Sequence, residues 1–157
     1  MIGQWFCKGF KVLYTIGHSN VELEYFLDVL KKYEINILCD IRITPYSGYV
    51  PHFNKESLAA ACKKAGIQYI HKTELGSVNV YPLVEPTEII LNILEKMSLV
   101  VAEKNVALMS DGWDYKNCHR TILADWMEHH FGVVAIPINI KNAEIFAAKT
   151  TQLNIFN

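Results

Sequence analysis

Ile35-Asn36-Ile37-Leu38-Cys39-Asp40-Ile41-Arg42 is a near-continuous apolar run that ends on two opposite charges. A strand with one wet face alternates polar and apolar residues, whereas a strand covered on both faces does not. The run therefore predicts a strand inside a parallel sheet, with Asp40 and Arg42 delivered to the sheet's carboxyl edge. The same grammar recurs on either side. Val12 to Ile16 is β-rich and opens into Gly17-His18-Ser19-Asn20, and Asn105 to Met109 opens into Ser110-Asp111. Ile67 to Ile70 and Val133 to Ile138 read as further strands. Between them apolar residues take helical spacing, as in Leu23, Phe26, Leu27 and Leu30, or Ile90, Leu94, Met97 and Val101.

Local signals set the expected ends of these helices. Ser19 and Glu22 have capping-box spacing. Asn54 is the expected cap of a helix over 55–65 that Gly66 closes, Pro86 or Thr87 starts one that runs to about Ala102, and Asn117 caps one that ends before Gly132. A short helix over 142–148 is expected to follow. Strand-helix alternation predicts a single three-layer α/β domain over 1–157, with residues 1–11 as a short N-terminal arm. Its sheet is largely parallel, with about five strands and helices on both faces in a Rossmann-like arrangement.

With 157 residues, 51% hydrophobic and 20% charged, the chain has the composition of one well-buried domain. A net charge of -1 argues against a broad duplex nucleic-acid surface or attraction to an anionic membrane. No apolar run approaches a membrane span. The cysteines Cys7, Cys39, Cys62 and Cys118 make no C-x-x-C pair, so no zinc signature is present. Met1 to Phe10 is too interrupted for a signal peptide, and reduced thiols in a cytoplasm are expected.

In a parallel sheet the carboxyl ends of the strands form the crevice that takes ligands. His18, Asp40, Asp111, Cys118 and His119 are the candidate catalytic residues there. Ser19, Arg42, Tyr46, His52, Trp113 and Arg120 are candidate ligand contacts. Each has a structural alternative. Ser19 and Asn20 also suit capping, Asp111 suits a turn, and an internal ion pair suits Asp40 with Arg42. Cys118-His119-Arg120 falls at a helix start, where N–H groups and the helix dipole favour an anion and activate a thiol. Tyr46, Tyr49 and Trp113 are loop aromatics able to stack on a planar ring. His129-His130 is adjacent and diverges on a helix, a poor metal pair. No G-x-G-x-x-G, Walker A or G-x-S-x-G motif is present.

Tyr14-Thr15-Ile16-Gly17-His18-Ser19-Asn20, Asp40-Ile41-Arg42 with Pro45 and Ser47, Pro51-His52-Phe53-Asn54-Lys55, Glu74-Leu75-Gly76 and Cys118-His119-Arg120 together resemble the DUF488 family, in the family's order from Val12 to Ile138. The resemblance implies a compact α/β domain of unsettled biochemical function. It adds Glu74 to the candidate ligand contacts. Two departures stand out: Tyr46 and Gly48 replace basic residues, and Ser110-Asp111-Gly112 replaces a Cys-x-Glu.

These observations lead to a hydrolase-like enzyme acting on a nucleotide, nucleoside or nucleic-acid-derived anionic substrate, with no cofactor and no metal. The alternatives are a non-catalytic module that binds a small anionic ligand or nucleotide, and a thiol enzyme using Cys118. Strand order and oligomeric state are not legible in the sequence.

Overall fold

The computed structural model describes residues 11–76, 85–112 and 118–142. The expected N-terminal arm up to residue 10, the helix over 142–148 beyond its first residue, Asn117 and Trp113 lie outside the described residues. The strands are β1 (Lys11–Gly17), β2 (Ile37–Asp40), β3 (Gln68–His71), β4 (Val106–Ser110) and β5 (Val133–Ile138). The helices are α1 (Leu23–Lys32), α2 (Lys55–Lys64), the short α3 (Thr73–Gly76), α4 (Glu88–Val100) and α5 (His119–Phe131). A 3-10 turn at Pro51–Phe53 breaks the loop before α2.

All strand pairs are parallel, in the order β3-β2-β4-β1-β5. Side chains alternate across the sheet and feed two cores. Leu13, Cys39 and Leu108 pack with Leu94 and Met97 of α4 and Leu123 and Met127 of α5. Ile16, Leu38, Ala107 and Met109 pack on the other face with Phe26 and Leu30 of α1 and Leu58 and Cys62 of α2. The central β2 is buried at every position, as its unbroken apolar run requires.

This topology positions a site. The chain leaving β1 and β2 passes onto the α1/α2 face, while the chain leaving β4 passes onto the α5 face. Because β4 lies between β1 and β2, the exits diverge on both sides of it and open a crevice at its carboxyl end. Among the described residues no helix is long and apolar enough to cross a membrane.

Two helix starts, those of α1 and α5, differ from expectation. The cap of α1 is Glu22, with no side-chain bond, and Ser19 lies earlier in a left-handed turn at φ 51°. Ser19 lies three residues ahead of that cap, with its N–H donating to Asp111 O at 2.8 Å. Asn54 does occupy the cap position of α2, but its side chain accepts the Ser47 N–H at 2.7 Å instead of a helix N–H. The cap of α5 is Cys118, one residue after the Asn117 expected there. Thr87 caps α4 as expected, its hydroxyl accepting from Ile90 N–H at 3.4 Å. Gly66, at φ +75°, closes α2 in the conformation that a side chain disfavours.

Candidate functional site

Pairing between β1 and β4 continues beyond the strands. His18 N–H donates to Ser110 O at 3.1 Å and Ser19 N–H to Asp111 O at 2.8 Å, so His18 and Asp111 are held side by side. This approach needs Gly17, where a Cβ would lie 1.6 Å from Gly112 O and 2.7 Å from Arg120 Nη1. The left-handed Ser19 then turns the chain away, a strained conformation for a residue with a side chain.

His18 is only 4% exposed, and its ring stacks on Phe53 at 4.4 Å and 20°. Its Nδ1–H donates to Ser19 O at 2.6 Å. Its Nε2 lies 3.3 Å from Arg42 Nη1 and 3.4 Å from Asp111 Oδ1. One imidazole nitrogen is thus anchored, and the other faces a cation and a carboxylate together.

Arg42 is fixed from behind. The buried Asp40 carboxylate accepts from Arg42 N–H at 3.1 Å, Nε at 2.9 Å and Nη2 at 2.7 Å, and from the Tyr69 hydroxyl at 2.5 Å. Arg42 Nη2 also donates to Phe53 O at 2.8 Å, and His71 Nε2 donates to Arg42 O at 2.7 Å. Burial works against the Arg42 charge, but the hydrogen bond and charge of Asp40 outweigh it and raise its pKa. Burial and the bond to Asp40 likewise push the Tyr69 phenol upward, so it stays a donor.

Asp111 is different: its side chain is 73% exposed. Its carboxyl is held below the ordinary 3.8, chiefly by the hydrogen bond from His18; lost hydration opposes this, and the charges of His18, Arg42 and Arg120 add to it. Asp111 is therefore ionised at neutral pH. The bond from His18 needs a proton on Nε2, because a carboxylate can only accept.

These groups open into a cavity of about 390 Å³, with Thr44, Ser47 and Asn20 on its walls and Tyr46, Tyr49 and Val50 at its rim. Tyr49 is 99% exposed, while Tyr46 donates its hydroxyl to Glu56 at 2.8 Å. A larger cavity of about 620 Å³ lies between α4 and the faces of β2 and β3, lined by Ile37, Ile70, Ile93 and Met97 with several lysines. The smaller cavity is the better candidate site, because it has convergent acid, base and cation.

A model of the domain of unknown function DUF488 matches residues 22–81. Over that stretch the chain is similar to the DUF488 family. No curated protein and no solved structure matches it. The DUF488 match covers Asp40, Arg42 and Tyr69, while His18 and Asp111 are brought beside them by β1 and β4.

The structure brings together His18, Ser19, Arg42, Tyr46 and Asp111 around the cavity, with Asp40 directly behind Arg42. Other expected contacts are directed elsewhere. Arg120, 1% exposed, turns under the β1–β4 junction and donates from Nη1 to Ser110 Oγ and, at 2.6 Å, to Gly112 O. It braces the site instead of presenting a free fork to an anion. His52 Nε2–H donates to Val21 O at 2.9 Å, tying the 3-10 turn to the approach of α1. Glu74 is exposed on α3 and, with His119, is absent from the cavity wall among the described residues. Cys118 Sγ meets Thr121 Oγ1 at 3.5 Å at the start of α5 and does not line the cavity either.

Sequence reading missed Phe53, Tyr69 and Thr44. Phe53 and Tyr69 looked like ordinary apolar positions, and only the pairing of Leu38 with Tyr69 brings that phenol to Asp40. Among the described residues no His, Cys, Asp and Glu group is arranged to hold a metal ion. Thiol labelling checks the placement of the cysteines. Cys39 and Cys62 are buried, which pushes their thiols up to about 12. Both should stay silent toward a thiol reagent in the native protein, while the half-buried Cys118 reacts at least about tenfold faster. Equal labelling of all three before unfolding would contradict the packing.

Proposed function

We propose that the cavity is the active site of a hydrolase whose substrate is a nucleoside or another neutral, ring-bearing polar molecule. The observation that carries this reading is His18 Nε2, set between the Asp111 carboxylate and the Arg42 guanidinium at the cavity wall. Nε2 takes the proton of an attacking water as its oxygen bonds to the substrate carbon. The same proton then passes to the leaving group as its bond to that carbon breaks. Ionised Asp111 stabilises the imidazolium formed between the two transfers. Tyr46 and Tyr49 at the rim suit stacking on a planar ring.

Charge favours a neutral substrate over a free phosphate. Arg42 Nε and Nη2 are committed to Asp40 and Phe53, and Nη1 makes one bond to His18, leaving its second N–H for a substrate oxygen. Asp111 repels a dianion at the same wall, and Arg120 is engaged with backbone and Ser110.

The test is base release from a panel of nucleosides and their phosphates. His18→Asn and Asp111→Asn should each lower kcat/KM by about 10²–10⁴. Asp111→Asn should barely alter the neutral-pH melting temperature, since the exposed carboxylate is screened. With its pKa depressed in the folded protein, Asp111 contributes stability above the ordinary carboxylate range and loses it as pH falls through the lowered value. No turnover on any panel member, or full turnover in both variants, overturns the reading.

A further inference from the structure

We propose that Arg42 is a positioning residue that locks neutral His18 in one tautomer, with the proton on Nδ1 and the lone pair on Nε2. The inference rests on His18 being the proton-transfer group of the reading above, and it assigns that group its resting role as a proton acceptor. Two contacts carry it. Ser19 O can only accept, so Nδ1 must hold a proton to make the 2.6 Å bond. A guanidinium can only donate, so Nε2 must offer its lone pair to Arg42 Nη1 at 3.3 Å.

Arg42 has little freedom to relax from this role. Asp40 holds it through Nε and Nη2, Phe53 O takes a further bond from Nη2, and Tyr69 secures Asp40 in turn. The side chain is 4% exposed, so water does not readily replace any of these partners. Asp111 is the mobile counterpart. It reaches Nε2 at 3.4 Å from an exposed side chain and has favourable contact only with a protonated Nε2.

The site therefore has two hydrogen-bond states separated by one proton. In the first, Arg42 donates to a bare Nε2. In the second, Nε2–H donates to Asp111, and the Arg42 N–H that faced it must turn its bond toward the cavity. The charged groups around the ring are Arg42 and Asp40 from the end of β2, Asp111 from the end of β4, and Arg120 from α5 behind Gly112. The 3-10 turn presents the neutral Phe53 face.

Imidazole ¹⁵N NMR on the full chain, labelled at its six histidines and assigned with His18→Asn, reads the tautomer without any substrate. At about pH 8, where ordinary histidines are neutral, His18 should show a protonated Nδ1 and a bare Nε2. Arg42→Lys, which keeps a cation for Asp40 but lacks the fixed fork, should move the signals toward a mixture of tautomers. Asp111→Asn should leave them unchanged. A wild-type His18 with bare Nδ1, or an unaltered tautomer in Arg42→Lys, overturns the proposal. If Arg42→Lys fails to fold, the wild-type spectrum and that of Asp111→Asn still decide it. A locked tautomer in a protein that turns over none of the panel would remove the hydrolase and leave the Arg42 clamp standing.

Discussion

Asp40→Ala should cost about 3–5 kcal/mol of stability, the usual result of removing one member of a buried ion pair. The carboxylate is fully buried and receives four hydrogen bonds, three from Arg42 and one from Tyr69. Without it the Arg42 guanidinium stays in the interior with Phe53 O as its remaining strong acceptor. In urea or thermal unfolding the loss would appear as a melting temperature lower by on the order of 10 °C. Two companions separate charge from hydrogen bonding. Tyr69→Phe removes one donor and should cost only about 1 kcal/mol. Asp40→Ala combined with Arg42→Met should recover much of the single loss, because it removes the stranded charge as well. A cost below about 1 kcal/mol for Asp40→Ala would mean that water already solvates the pair.

Gly17→Ala should be comparably damaging, by a different route. The new methyl would lie 1.6 Å from Gly112 O and 2.5 Å from Gly112 C, and no flexible side chain can yield there. It would also lie 2.7 Å from Arg120 Nη1, the group that ties Gly112 O to Ser110 Oγ. The end of β4 must therefore move off β1, breaking the Arg120 bridge and the hydrogen bonds that hold His18 beside Asp111. The expected cost is about 3 kcal/mol or more, beyond the common range for one added methyl. Gly48→Ala is the control, since a Cβ at Gly48 meets nothing within 4 Å and should change stability little. If the two variants unfolded at the same temperature, the close approach of β1 and β4 would be wrong.

Period and punctuation made the architecture legible. The unbroken apolar run at Ile35 to Ile41 did mark the central sheet, although β2 itself covers only Ile37–Asp40. The first turn of that run is shortened because the N–H groups of Asn36 and Ile37 bond Asn105 O in the connection ahead of β4. His18, Arg42 and Asp111 meet at one cavity wall because polar residues following a buried strand must emerge at its edge. Asp40 and Arg42 form the internal ion pair that was the structural alternative, and Arg42 lines the cavity as well.

Arg120, Cys118 and His52 were harder to place for a definite reason. A helix start near the sheet edge suggests a ligand, but strand order decides on which face the helix lies. Here α5 leaves on the face opposite α1 and α2, and Arg120 is consumed in bracing the junction. The roles of Tyr69 and Phe53 depend on contacts far along the chain, which local periodicity does not encode.

The place of β4 between β1 and β2 also bears on how the protein is made. Leu13 and Ile37 both pair with Val106, a partner roughly 70–90 residues further along, so these contacts are of high sequence separation. While the chain emerges during synthesis, β1 and β2 have no sheet neighbour in each other and each waits with an unsatisfied edge. Insertion of β4 closes both edges in one event, and the same event draws Asp111 against His18. Assembly should thus be slow and all-or-none, with no partly folded species that owns a working cleft. Shielding of those waiting edges is the demand this topology makes of the cell.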